Sequence, residues 1–335
     1  MKTLRILLPL LILPLVMACS SVHYVQLSTM RPSQVNYHTT EPQIVVVNNS
    51  FVPEGSEYSR YIDENGKQYR LSYDADSIPS QFVMTLATRL YEGHFFDNVN
   101  VFFPDSSNIT GVEGVPQSSI QQWRYGDEYF VTVNTIKPLA TMQIEPVEGF
   151  FGAGLTVAST VLLEFVSPLQ KEGNIIVTDT LQWYAYGETP KLARLNLPDF
   201  DLCIEDAVVS LAVKAADRFM PHHKMVDRYI FVTGHPAMTD AYRYWSKQQY
   251  TDASYVWEYV YENAKNKGRR AKAAINLALY YELNDQYEEA LNYARSALAI
   301  FIDNGDTAEV EYATMYCEDL QQRINEDTRL KQQGW

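Results

Sequence analysis

The hydrophobic period of this chain changes once, near Gly234-His235-Pro236, and no other feature constrains the fold as much. Before that point short apolar runs with strand character alternate with a few amphipathic helices. After it every stretch repeats with helical spacing. The 335 residues are enough for two domains with cores of their own. The expected fold class is α+β: a mixed-sheet α/β module over residues 40–233, then an all-α domain over residues 236–333.

Within the first part, Gln43–Asn48 (QIVVVN) is a compact apolar run suited to a buried central strand. A helix is expected at 79–92, capped by Ser77, with Pro79 in its first turn and Phe82, Val83, Leu86 and Leu90 on one face. A strand at Asn98–Phe103 and a short helix near Ser118–Arg124 follow. Longer strands are expected at about Glu128–Ile136, Leu155–Val166 and Ile175–Tyr186, the last two paired as a hairpin. An amphipathic helix over 203–220 carries Ile204, Val208, Leu211, Ala215 and Phe219 on one stripe, and Met225–Thr233 reads as the closing strand of the module. The polar, Tyr-rich stretch 54–76, with its Asn65-Gly66 turn signal, is an insertion: either a decorated loop or a binding element.

That element order, opening on Ile44-Val45-Val46-Val47-Asn48 and continuing through Asp127-Glu128-Tyr129-Phe130-Val131-Thr132-Val133-Asn134-Thr135-Ile136, resembles the amino-terminal domain of TolB and the envelope lipoproteins CsgG and LpoB. The resemblance spans about residues 40–233 and rests on order and pattern.

The second part contains an internal repeat. Tyr250-Thr-Asp-Ala253-Ser-Tyr-Val-Trp257 matches Tyr287-Glu-Glu-Ala290-Leu-Asn-Tyr-Ala294 at an offset of 37 residues, with Ala274, Leu277, Ala278 and Tyr281 on the helix before the second copy. This resembles the tetratricopeptide (TPR) repeat, a helix pair of period 34. Asp306 and Glu309 form a capping-box pattern ahead of a long final helix. Two repeats and a cap make the expected helical domain. In the repeat family the first helix of each pair lines a concave groove. Counting from the crossing alanines places Met238, Tyr242 and Trp245 there from the first repeat, and Lys272, Ile275, Asn276, Leu279 and Glu282 from the second. These residues are the expected partner-binding groove, suited to an apolar segment. The competing reading packs Tyr242 and Trp245 against the α/β module, because so short an array needs support.

The amino terminus reads as an export signal. Lys2 and Arg5 precede 13 apolar residues, Ile6–Ala18, broken by Pro9 and Pro14, too short for a membrane-spanning helix. The run ends Val16-Met17-Ala18-Cys19, which resembles the lipobox of bacterial lipoproteins and implies cleavage after residue 18 and lipidation of Cys19. Residues 19–39 are then a lipidated amino terminus and a linker or edge strand. The whole arrangement resembles an uncharacterised family of Bacteroidetes lipoproteins, which implies an outer-membrane location. Ser20-Ser21-Val22-His23 lacks an acidic surface-export cluster, which favours the periplasmic side.

Removing residues 1–18 takes away Lys2 and Arg5, leaving 25 basic residues against 41 acidic and a net charge of −16. That balance disfavours nucleic acid and anionic headgroups, so membrane contact is expected through the lipid alone. Cys203 and Cys317 read as two buried free thiols. No catalytic motif is found: no Gly-x-Ser-x-Gly elbow, His-Glu-x-x-His or phosphate loop. Gly149-Phe-Phe-Gly152-Ala-Gly154 precedes a strand rather than a helix, and His222-His223 sit where a helix ends. No cofactor and no metal are expected. The chain is expected to be a scaffold or adaptor for another envelope protein rather than an enzyme. A regulator of a cell-wall enzyme resembling LpoB, a secretion component resembling CsgG, and an unrecognised hydrolase are the alternatives.

Overall fold

The computed structural model describes residues 22–51, 59–104, 117–168 and 171–334. The expected export signal and Cys19 lie outside these residues, as do residues 54–58 of the insertion. In chain order the elements are β1 (Val22–Arg31), β2 (Gln43–Phe51), β3 (Ser59–Ile62), β4 (Gln68–Leu71), α1 (Ile78–Glu92), β5 (Asn98–Phe102), α2 (Gln117–Trp123), β6 (Tyr129–Val147), β7 (Phe150–Val166) and β8 (Lys171–Gly187). Then come α3 (Pro190–Leu195), α4 (Phe200–Ala216), β9 (His222–Phe231), α5 (Pro236–Ser246), α6 (Tyr250–Asn263), α7 (Lys267–Leu283), α8 (Tyr287–Asn304) and α9 (Thr307–Gln332). The class is α+β, with a mixed sheet and a mostly helical carboxy-terminal part. The described residues form two compact units. One joins residues 22–29 to His223–Thr328, and the other joins Met30–His222 to residues 329–334.

The second of these units is built on a seven-stranded mixed sheet. β2 runs parallel to both β5 and β6, while β6, β7 and β8 form an antiparallel meander. The β7–β8 hairpin expected from the sequence is present, and its strands and β6 are longer than expected. β6 continues past Ile136 because Pro138 falls where the strand changes neighbour. β2 pairs with it up to Thr135 and β3 from Thr141, so the missing proline N–H costs no ladder bond to either. The insertion contributes the β3–β4 hairpin, whose turn is held by Asp63, its carboxylate accepting from the amides of Asn65 (3.0 Å) and Lys67 (2.8 Å).

One face of the sheet is covered by α1, α3 and α4. Phe82, Val83, Leu86 and Leu90 of α1, and Ile204, Val208, Leu211 and Ala215 of α4, are all buried with Ile44, Val46, Val131 and Val133 of the strands. These are the stripes the sequence predicts. Ser77 occupies the N-cap of α1 but its side chain accepts no capping bond. α4 starts earlier than expected because Asp199 caps it, accepting from the amides of Asp201 and Leu202. The short α3 was not expected. It packs so tightly on the end of β8 that a Cβ at Gly187 would meet the Ala193 amide nitrogen at 2.3 Å. On the opposite face, α2 places Ile120 against Val47, Phe130 and Val166. Beyond that patch the β6–β8 meander faces solvent.

The first unit holds helices α5–α9 and one two-stranded sheet, β1 with β9. This corrects the expected boundary: β9 does not close the mixed sheet but pairs with the amino-terminal strand, and both belong with the helices. α5–α6 and α7–α8 repeat each other in backbone detail. Gln248 and Asp285, 37 residues apart, are left-handed non-glycine residues (φ 61° and 57°) in matching interhelical turns. Each turn closes with the same bond, from the Gln249 amide to the Tyr244 carbonyl (3.0 Å) and from the Gln286 amide to the Tyr281 carbonyl (2.9 Å). Ala253 and Ala290 are both fully buried in the helical core.

Candidate functional site

The eight groove residues come together, but not around an open groove. Met238, Trp245, Ile275, Asn276, Leu279 and Glu282 are buried, and their neighbours include Val226, Ile230, Phe231 and Val232 of this chain's own β9 and the residues that follow it. The expectation of a vacant partner-binding groove is therefore corrected. These positions carry apolar and aromatic side chains because they form a core around a strand.

The strand is held by its main chain and by one cation. The Asn276 side-chain amide donates to the Phe231 carbonyl and its oxygen accepts from the Phe231 amide, both at 2.8 Å. Such a two-point clamp satisfies one residue's backbone pair as a neighbouring strand would, and it is indifferent to side-chain identity. Three residues earlier, Arg228 forms a bidentate pair with Glu282, Nε to Oε2 at 2.8 Å and Nη2 to Oε1 at 2.9 Å. Its third nitrogen reaches Asp319 at 3.2 Å, and the guanidinium lies 4.6 Å from the Tyr316 ring centroid. The Tyr316 hydroxyl donates to Glu282 Oε2 at 2.7 Å. Burial alone would lower the Arg228 pKa, but the Glu282 hydrogen bonds and charge outweigh it and the net shift is upward. Burial, reinforced by the Glu282 charge, holds the Tyr316 phenol well above its ordinary range. Both groups stay in their hydrogen-bonding forms at neutral pH.

The remaining groove residues contribute around the rim. Lys272 sits 5.1 Å from the Phe231 ring centroid and 3.7 Å from Glu309. Tyr242 stacks on His23 of β1 at 4.4 Å, and Trp245 packs against Tyr250 and Trp257. Sequence reasoning missed Arg228, Phe231 and His23 as members of this constellation. The signal available was the charge alternation of β9, where Arg228 stands at a position the strand period marks as buried.

Elsewhere, the solvent-facing side of the meander forms an open cleft of about 380 Å³ lined by Gln143, Glu145, Gly152, Gly154, Tyr184 and Tyr186 among others. The Tyr184 and Tyr186 rings lie across Gly154 and Gly152, covering strand backbone that has no side chain of its own. The glycine-rich segment thus serves the β6–β7 turn, where Gly149 is left-handed (φ 79°), and this aromatic cover. Cys203 and Cys317 are free thiols, Cys203 buried and Cys317 half-buried. Burial, with the Asp206 and Asp199 charges, pushes the Cys203 thiol up to about 11, which suppresses its nucleophilicity. His222 and His223 open β9 rather than ending a helix, and His223 Nδ1 lies 3.1 Å from Ser28 Oγ. Among the described residues no group of three or more His, Cys, Asp or Glu side chains is placed to hold a metal ion. No helix among them is long and apolar enough to cross a membrane.

These two units, a mixed-sheet α/β body and a strand-filled helical array, define the class of fold. A family model described as a domain of unknown function (DUF6340) matches residues 239–322, inside the helical unit. No curated protein matches the chain. Solved structures with a similar arrangement include PelC from Paraburkholderia phytofirmans, described as a dodecamer. It is 10% identical, with 58% of this chain and 98% of that one covered and a TM-score of 0.24. A minor lipoprotein from Acinetobacter baumannii is 11% identical over 53% and 91% of the two chains, with a TM-score of 0.24. A putative neuraminyllactose-binding hemagglutinin homolog from Helicobacter pylori is 11% identical over 54% and 87%, with a TM-score of 0.28.

Proposed function

We propose that this protein is a lipid-anchored scaffold of the outer membrane, facing the periplasm, that binds another envelope protein and carries out no catalysis. The observation supporting it is the Asn276 clamp. The helical array is built to hold an extended strand by its backbone, a recognition mode rather than a catalytic one. In this reading the helix pairs are TPR-like and their concave side is filled by the chain's own β9. The partner then meets the outer surface, where Tyr255 and Tyr259 of α6 stand 64% and 59% exposed one turn apart. A secretion pore is not favoured, because the open face of the long strands carries Lys137, Thr141, Gln143, Glu145 and Gln182 where lipid-facing strands need apolar side chains.

The deciding experiment is photocrosslinking in intact cells from probes placed singly at Tyr255, Tyr259 and, as a control, the exposed Tyr91 of α1. A discrete envelope protein captured from the α6 positions and not from Tyr91 is the expected result. The same diffuse background from all three positions would remove the scaffold reading.

Anchoring has a separate consequence. The variant Cys19→Ala is expected to leave the membrane fraction after a high-salt wash, because two or more acyl chains are what stable attachment requires. Full retention of that variant in the washed membranes would count against the lipobox reading.

A further inference from the structure

The mixed sheet has three edge strands among the described residues, β4, β5 and β8, and they are defended differently. β4 and β5 are four and five residues long, and shortness is itself protection. β8 is 17 residues long and pairs with β7 alone. From Gly173 to Gly187 it contains no proline, no lysine and no arginine, and its one acid is Asp179. That carboxylate is turned onto α4, accepting from Ser210 Oγ at 2.6 Å and pairing with Lys214 at 3.0 Å. Burial works against ionisation there, yet the Ser210 and Lys214 bonds prevail and its pKa is lowered. The edge is therefore long and uncharged at its rim, with a side-chain contact to its main chain at one end, where Asn196 Nδ2 donates to the Tyr186 carbonyl at 2.8 Å; natural sheets avoid such an edge unless it is used. Its outward row ends in apolar side chains, Ile176, Tyr184 and Tyr186 being 65%, 68% and 65% exposed.

We propose that β8 pairs antiparallel, about a two-fold axis at Thr180, with β8 of a second copy of this chain, joining two mixed sheets into one. The sequence of the edge is complementary to itself under that operation. With Thr180 at the centre, residues 173–187 overlap, 15 of the strand's 17, and directly opposed residues number 360 in sum. Ile176 then faces Tyr184 of the other copy on both sides of the axis, an aromatic against a β-branched side chain, the kind of cross-strand pair that stabilises sheets. Thr178 faces Gln182, and Asn174 faces Tyr186. On the helix-covered side Val177 faces Trp183 and Asp179 faces Leu181, so no like charges are opposed, and each Asp179 already has its own lysine. An isologous contact of this kind closes after two copies, which removes the edge instead of propagating it. The chain's net charge of −14 does not oppose the pairing locally, because the rim of this strand carries none of it.

The test uses the chain from residue 20 onward, which includes every described residue, with mass measured by light scattering across a concentration series. The unaltered protein is expected to be a dimer. Ile176→Lys with Tyr184→Lys opposes like charges twice and is expected to weaken the dimer about tenfold or more. Ile176→Lys with Tyr184→Glu opposes unlike charges at the same two places and is expected to restore it. All three proteins should melt alike as monomers, since the altered side chains are exposed. An unaltered protein that stays monomeric at high micromolar concentration overturns the proposal, including the case in which this edge serves a strand from another protein. A double-lysine variant that dimerises as tightly as the unaltered chain overturns it equally.

Discussion

Replacing Arg228 by methionine is expected to destabilise the helical unit by about 3–5 kcal/mol, the cost of leaving a buried charge without its partner. The Glu282 side chain is 1% exposed and that of Arg228 5%. With the guanidinium gone, Glu282 keeps one hydrogen bond, from the Tyr316 hydroxyl at 2.7 Å, for two buried oxygens. Asp319 matters less because it is 46% exposed and water serves it in the variant. The size of the loss comes from the stranded carboxylate rather than from the net worth of the pair, and that distinction is measurable. Arg228→Met combined with Glu282→Leu removes both charges and is expected to recover most of the loss. Adding Tyr316→Phe removes the last orphaned hydroxyl and recovers more. For a unit of this size the single change lowers the melting temperature by roughly 10 °C or more. A single variant within 1 kcal/mol of the parent, or a double variant worse than the single, would show that the strand is not held through this pair.

Much of the fold was legible where local physics decides it. The stripe Phe82-Val83-Leu86-Leu90 and the alternation of β7 and β8 each identify a buried face without knowledge of what covers it. The repeat was legible for the same reason: Ala253 and Ala290 recur at the same point of the two helix pairs, and both are fully buried. What failed was partner choice. β9 reads correctly as a strand, but nothing in His222–Phe231 says that it pairs with Val22–Arg31 about 200 residues away rather than with the mixed sheet. Loop closure of that length adds only slowly to the entropic cost, so the native pairing is set by packing and leaves no local trace. The groove failed for a related reason. Met238, Ile275 and Leu279 are the residues one expects in an apolar binding groove and equally those one expects in a core. Which they become depends on whether a strand from the same chain occupies the space. Asn276 and Glu282 were the discriminating residues. A buried amide and a buried carboxylate on one helix face imply a backbone and a cation opposite, and β9 supplies both.

The fragment 236–334, which contains every helix of the array, is expected not to fold cooperatively, whereas 222–334 is expected to fold. The two differ by β9 and the turn after it. Val226, Ile230, Phe231 and Val232 are all buried in the helical core. At roughly 1.5–3 kcal/mol for each fully buried side chain of this size, their removal withdraws on the order of 6–12 kcal/mol, an upper bound because unfolded chains are partly collapsed. A domain's whole stability is about 5–15 kcal/mol, so the loss is comparable to what there is to lose. Polar losses act in the same direction. Asn276 forfeits both clamp bonds, and Glu282 is left as it is in the Arg228 variant. Two helix pairs and a terminal helix are also fewer than a repeat array needs to stand alone, because each repeat is stabilised mainly by its neighbours. β9 therefore acts as the missing neighbour, supplied from within the chain. β1, with Leu27 in the same core, adds a smaller increment that 222–334 still lacks, so that fragment should melt below the intact protein. Circular dichroism melts of the two fragments side by side decide the matter. A sharp transition for 236–334 at the temperature of 222–334 would mean that the helices carry their own core and that β9 is a passenger in the groove.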